Sequence, residues 1–110
     1  MKYIFALFVL MFSSLSYAYD FENCKVVEIV TRGPVNAHVA LDCDIQNLPS
    51  CATANRYIGF DKTTPEGEIY FSMILTAFAS NSTLTGHIHP SECPSFQTNV
   101  GWLTQLRLRK

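Results

Sequence analysis

Two periods of hydrophobic and polar positions organise this chain. The run KVVEIVT, Lys25 to Thr31, is rich in β-branched residues and predicts a strand. Its alternation is poor: Val26 and Val30 share one face and Val27 and Ile29 the other, a pattern that suits burial on both sides. Arg32-Gly33-Pro34 marks a turn. Val35 to Cys43 then alternates cleanly, with Val35, Ala37, Val39, Leu41 and Cys43 on one face and Asn36, His38, Ala40 and Asp42 on the other. That predicts a half-buried strand, antiparallel to the first. Asp44 to Ser50 reads as a loop, and Thr53 to Phe60 as a third strand.

The period changes at residue 64. Thr64 suits a helix cap, Pro65 the first helical position, and Glu66 and Glu68 the positive end of the helix dipole. Ile69, Tyr70, Met73, Ile74, Ala77 and Phe78 recur as one wide apolar stripe, with Phe71 and Leu75 beside it. They predict a helix from Pro65 to Ala79. Thr83 to His89 predicts a fourth strand, Pro90 ends it, Ser91 to Asn99 is a loop, and Val100 to Arg109 predicts a fifth strand. The fold class is therefore mainly β with one helix (α+β). A helix between strands three and four of a five-stranded, mostly antiparallel set is the connectivity of an OB-fold, a small Greek-key barrel. A small α+β sandwich is the alternative.

The start of the chain has a different character. Met1-Lys2 supplies a positive end, Tyr3 to Phe12 is an unbroken apolar run, and Ser16-Tyr17-Ala18 fits a cleavage site. Residues 1–18 have the layout of a secretory signal peptide, and the apolar run falls short of the roughly 20 residues that a membrane span needs. Residues 19–110 are left as one domain, expected to be secreted or periplasmic. Removal of Lys2 shifts the formal charge from −1 to −2. Arg107, Arg109 and Lys110 form a small basic end, but with that net charge and no other basic cluster the chain does not read as a nucleic-acid binder.

Cys24, Cys43, Cys51 and Cys93 all follow the signal segment, and an even count in a short exported chain predicts disulfides. Four cysteines allow three pairings. Cys43 and Cys51 flank a short loop, so the expected bonds are Cys43–Cys51 and Cys24–Cys93. No C-x-x-C is present. His87 and His89 would face the same way on a strand, near Glu92, but two histidines are too few for a closed metal site. No nucleophile signature occurs, so no catalytic residue, metal or cofactor is expected. Asn81-Ser82-Thr83 matches the N-glycosylation pattern. Tyr57 and Trp102 stand out as aromatics near strand ends. An aromatic face beside Asn, Gln or Arg is the chemistry of sugar binding.

Cys51, the helix start DKTT at Asp61 to Thr64, the helix YFSMILTA from Tyr70 to Ala77 and the following STLT from Ser82 to Thr85 resemble a group of small exported bacterial proteins. These are similar to the B subunit of subtilase cytotoxin and, more distantly, to other pentameric toxin B subunits. The resemblance implies an OB-fold, a ring-forming protomer (a homo-oligomer, pentameric in those toxins) and glycan binding without catalysis. It places Asp20 where those subunits hold sialic acid with an aspartate, and Cys24 where they use a serine. Asp44-Ile45 stands in place of an Ile-Glu pair. The expected function is non-enzymatic binding of a cell-surface glycan as an oligomer. The alternative is a monomeric periplasmic accessory or inhibitor protein that binds a protein partner.

Overall fold

The computed structural model describes residues 19–109. The expected signal segment, residues 1–18, lies outside the described residues, as does Lys110. The elements in chain order are β1 (Phe21–Cys24), β2 (Val26–Arg32), β3 (Asn36–Leu41), β4 (Tyr57–Asp61), α1 (Pro65–Ser80), β5 (Thr83–Ile88) and β6 (Gly101–Arg109). The six strands hydrogen-bond in the order β1-β5-β6-β4-β3-β2. All neighbours are antiparallel except β4 and β6, which meet in parallel through Ile58–Gly101 and Gly59–Trp102.

The expected order needs one change. The helix follows the fourth strand, because Phe21–Cys24 forms a strand that the β-branched pattern does not reveal. Only Lys25 separates β1 from β2, yet they occupy opposite ends of the sheet order. The chain changes partners there. Asn23 takes a left-handed conformation (φ 53°) and donates its N–H to the Thr85 hydroxyl. Two residues on, Lys25 N–H donates to the Asp42 carboxylate and Asp42 N–H returns a bond to the Lys25 carbonyl. The segment thus leaves β5 and joins β3 without stranding its backbone groups.

The helix starts and stops as its residues dictate. The Thr64 hydroxyl accepts from Gly67 N–H at 2.9 Å, Pro65 follows, and Asn81 closes the far end in a left-handed conformation. The stripe differs in detail from the expected one: Gly67, Ile74 and Ala77 are buried, Tyr70, Phe71 and Met73 pack partly against the core, and Ile69, Leu75 and Phe78 are exposed. Ile74 and Ala77 join Phe21, Val39, Leu41, Ile58, Phe60, Leu84, Ile88, Leu103 and Leu106 in a single core.

Burial of the strands reverses one expectation. The two-sided apolar strand, now β2, is largely exposed along one face, and Val27 is 57% accessible. The cleanly alternating strand, now β3, is buried on both faces. Its polar face is covered because the segment 89–100 folds across β3 and β4. The Pro94 and Val100 side chains approach Gly59, and the Asn36 amide donates to Gln97.

The disulfide pairing also differs from the expected one. Cys24 bonds Cys43, and Cys51 bonds Cys93. The β2–β3 hairpin explains the first bond. Val26 pairs with Leu41, so Cys24 and Cys43 stand two residues further out on each arm, with Cα atoms 5.7 Å apart. The second bond ties the loop after β3 to the segment after β5, across Cα atoms 6.2 Å apart.

Candidate functional site

A cleft of about 580 Å³ opens between the N-terminal turn of α1, the start of β6 and the stapled segment 89–100. Trp102 enters it from β6. The Trp102 ring is stacked on His89 with centroids 5.7 Å apart and planes inclined by 22°, and its carbonyl accepts from His89 N–H. Phe96 comes from the stapled segment and Tyr70 from the helix. Tyr70 is held in place by its hydroxyl, which donates to the Thr104 carbonyl at 2.8 Å, and by an edge contact with Phe60. Burial, with help from the Glu66 charge, raises the Tyr70 pKa, so the phenol keeps its proton at neutral pH.

The polar groups of this cleft are acceptors and hydroxyls: Asp61, Thr64, Glu66 and Ser95. Hydrogen bonds from the Thr63 hydroxyl and backbone N–H hold the Asp61 pKa below its ordinary value, so the group stays anionic. Among the described residues no lysine or arginine lines the cleft. Aromatic walls with such acceptors, of which Asp61 and Thr64 are held by hydrogen bonds, suit a neutral ligand with apolar C–H faces and donor hydroxyls.

No protein-family model, curated protein or solved structure matches the chain. Its site therefore rests on its own geometry.

That geometry keeps the four sequence-derived positions apart: of them only Trp102 lines the large cleft. Asp20 lies against the end of β5, where its carboxylate accepts from Ile88 N–H at 2.9 Å and from the Asn47 amide at 3.0 Å. It positions backbone there and does not face Trp102's cleft. Cys24 is committed to its disulfide and has no hydroxyl role to fill. Asp44 pairs with Arg56 at 2.9 Å on an exposed surface, a contact worth at most about 1 kcal/mol. Tyr57 lies against His38 (centroids 5.8 Å) in a separate hollow of about 140 Å³ that Gln97 and Asn99 also line. Tyr57 therefore does sit beside amides, in a hollow too small for a whole sugar chain. His87 and His89 are also separated: a register shift after His87 leaves it against Tyr19 and Asp20, while His89 backs Trp102. Among the described residues the one group with metal-ligand spacing is Cys24, Asp42 and Cys43, and its two sulfurs are bonded to each other.

Phe96, like Trp102, is legible in the sequence as an aromatic outside the core pattern, but Tyr70 and Asp61 are not legible as wall residues, because separate segments supply them. Nor is the burial of His38 legible, which is 9% accessible with its Nδ1 buried and unpartnered. Burial pushes the His38 pKa below its ordinary value and the Arg32 charge adds to this, while Glu28 opposes it. The unfolded chain thus binds a proton at His38 below about pH 6.5 that the folded chain resists. The stability from neutral His38 is present above that pH and is lost as pH falls through the folded-state value. Thermal melts between about pH 7 and pH 5 should show a steeper fall in Tm for the wild type than for His38→Gln. Equal slopes would assign the acid sensitivity to other groups.

Proposed function

We propose that this chain is an exported, non-enzymatic binding domain with an OB-fold-like barrel, similar to toxin B subunits, that holds a cell-surface glycan in the Trp102 cleft. The observation that carries the reading is the meeting of Trp102, Tyr70 and Phe96 with fixed acceptors in one open cleft of about 580 Å³. A pyranose presents an apolar face to such rings and its hydroxyls to such acceptors. The lining carboxylates Asp61 and Glu66 favour neutral sugars over acidic ones.

The barrel reading is supported by the contiguity of β1 and β2. Counted as one bent strand, they give five strands whose order returns on itself, and the helix then falls between the third and the fourth. The two disulfides support a secreted or periplasmic location. No helix among the described residues is long and apolar enough to cross a membrane.

Assembly into a homo-oligomer, a pentamer if the toxin resemblance extends that far, is supported by exposed Ile69, Leu75 and Phe78 on α1 and Val27 on β2. Several weak sugar sites on one particle would then act together. Light scattering on a size-exclusion column tests the assembly. A monomer at high micromolar concentration would favour the accessory or inhibitor reading, in which those apolar side chains meet a different protein.

A glycan array tests the ligand. Neutral glycans should give hits with the wild type, and Trp102→Ala should lose them with at least a tenfold drop in affinity, the scale of one stacked ring. An array without hits would leave the cleft with no sugar to bind and overturn the reading.

A further inference from the structure

The basic end of the chain is not used by the cleft. On β6, Arg107 and Arg109 lie two residues apart and on one face, and both guanidinium carbons sit over the Tyr19 ring, 5.4 and 5.8 Å from its centroid. His87, cross-strand from Gln105, touches the same ring at 5.1 Å. Among the described residues no carboxylate lies within ion-pair distance of either arginine. Asp20, which contacts His87, has its carboxylate engaged by Ile88 N–H and the Asn47 amide.

We propose that Arg107 and Arg109, set on Tyr19, form a binding site for a tetrahedral oxyanion, a sulfate or phosphate monoester. This site is separate from the cleft and does not depend on the glycan reading. A guanidinium held by its face on an aromatic ring keeps its N–H donors, which lie in its plane, free for a ligand. A carboxylate has two oxygens and is satisfied by one arginine fork. A monoester offers three free oxygens and can engage two forks at once. The ring also restricts both long side chains before the ligand arrives, which lowers the entropy cost of binding. Cleavage after Ala18 would add the Tyr19 α-ammonium beside the pair. The rest of the protein is net acidic, so this corner stands out as a local attractor for anions.

The test is a titration of the processed protein, followed by the Nε–Hε NMR signals of its arginines at constant ionic strength in chloride. Inorganic sulfate, inorganic phosphate and acetate are the first probes. Galactose 6-sulfate and galactose 6-phosphate then distinguish the two monoester sources. The signals of Arg107 and Arg109 should move saturably with sulfate or phosphate, while those of Arg32 and Arg56 stay still. The double variant Arg107→Gln/Arg109→Gln, both positions exposed, should keep the backbone amide pattern and bind at least tenfold more weakly. Equal movement of all four arginines, equal movement with acetate, or unchanged affinity in the double variant would overturn the site. Failure here would leave sugar binding at Trp102 unaffected, since the arginine signals do not report on the cleft, which no described arginine lines.

Discussion

Replacing Cys51 and Cys93 together by serine should destabilise the domain by about 4 kcal/mol and remove sugar binding with it. The loop-entropy relation gives that figure for a bond between residues separated by 42 positions. It compares with a total stability of roughly 5–15 kcal/mol for a small domain. The structural consequence is local as well as global. This bond holds the segment 89–100, which supplies Ser95 and Phe96 to the cleft and covers Asn36 and His38 on β3. Released, the segment exposes the polar face of β3 and the cleft loses one wall. Cutting the Cys24–Cys43 bond, with a separation of 19, should cost about 3 kcal/mol and leave the cleft's three walls in place. Urea unfolding of the two double variants, with sugar affinity measured on each, checks both claims. A loss below about 1 kcal/mol for the Cys51/Cys93 pair, with sugar affinity intact, would mean that the segment is held by other contacts.

Gly67→Ala should destabilise by about 2 kcal/mol, although the same exchange in an open helix stabilises by about 0.5–1 kcal/mol. A Cβ at this position would overlap the carbonyl group of Asp61, and backbone cannot swing aside as a flexible side-chain tip can. The Thr64 hydroxyl, which caps the helix, is bonded to that same carbonyl and to Gly67 N–H. Alanine would therefore push the first turn of α1 off β4, breaking the cap and shifting Glu66 and Tyr70, which line the cleft. Thermal melts should show a clear fall in Tm. A rise would mean that the turn relaxes freely and that Gly67 has no packing role.

The sequence makes some of this structure readable and hides the rest for identifiable reasons. The alternation at Val35 to Cys43 and the cap at Thr64-Pro65 are local signals, and β3 and α1 form where they point. The strand Phe21–Cys24 carries no β-branched residue and contains a left-handed Asn23, so only its tertiary partner β5 reveals it. The Cys24–Cys43 bond was within reach, because the hairpin register that pairs Val26 with Leu41 continues outward to both cysteines. Loop proximity pointed to Cys51 instead. The burial of Asn36 and His38 was out of reach, since a distant segment covers them. The aromatic character of Trp102 was legible, but its partners come from the helix and from the stapled segment, and no spacing in the chain links them. Asp20 and Asp44, carried by resemblance, hold local backbone and a surface ion pair and do not meet at a common site.

The central claim, that the protein holds a neutral sugar against Trp102, can be read with little ambiguity because Trp102 is the only tryptophan in the chain. A fluorescence titration with the strongest array ligand reports from the cleft wall itself. Trp102 emission should change saturably, with a midpoint that matches the array affinity, and the change should disappear with Phe96→Ala, which also lines the cleft. Ligand binding that leaves Trp102 emission unchanged would place the sugar elsewhere on the protein and rule out the Trp102 cleft as its site.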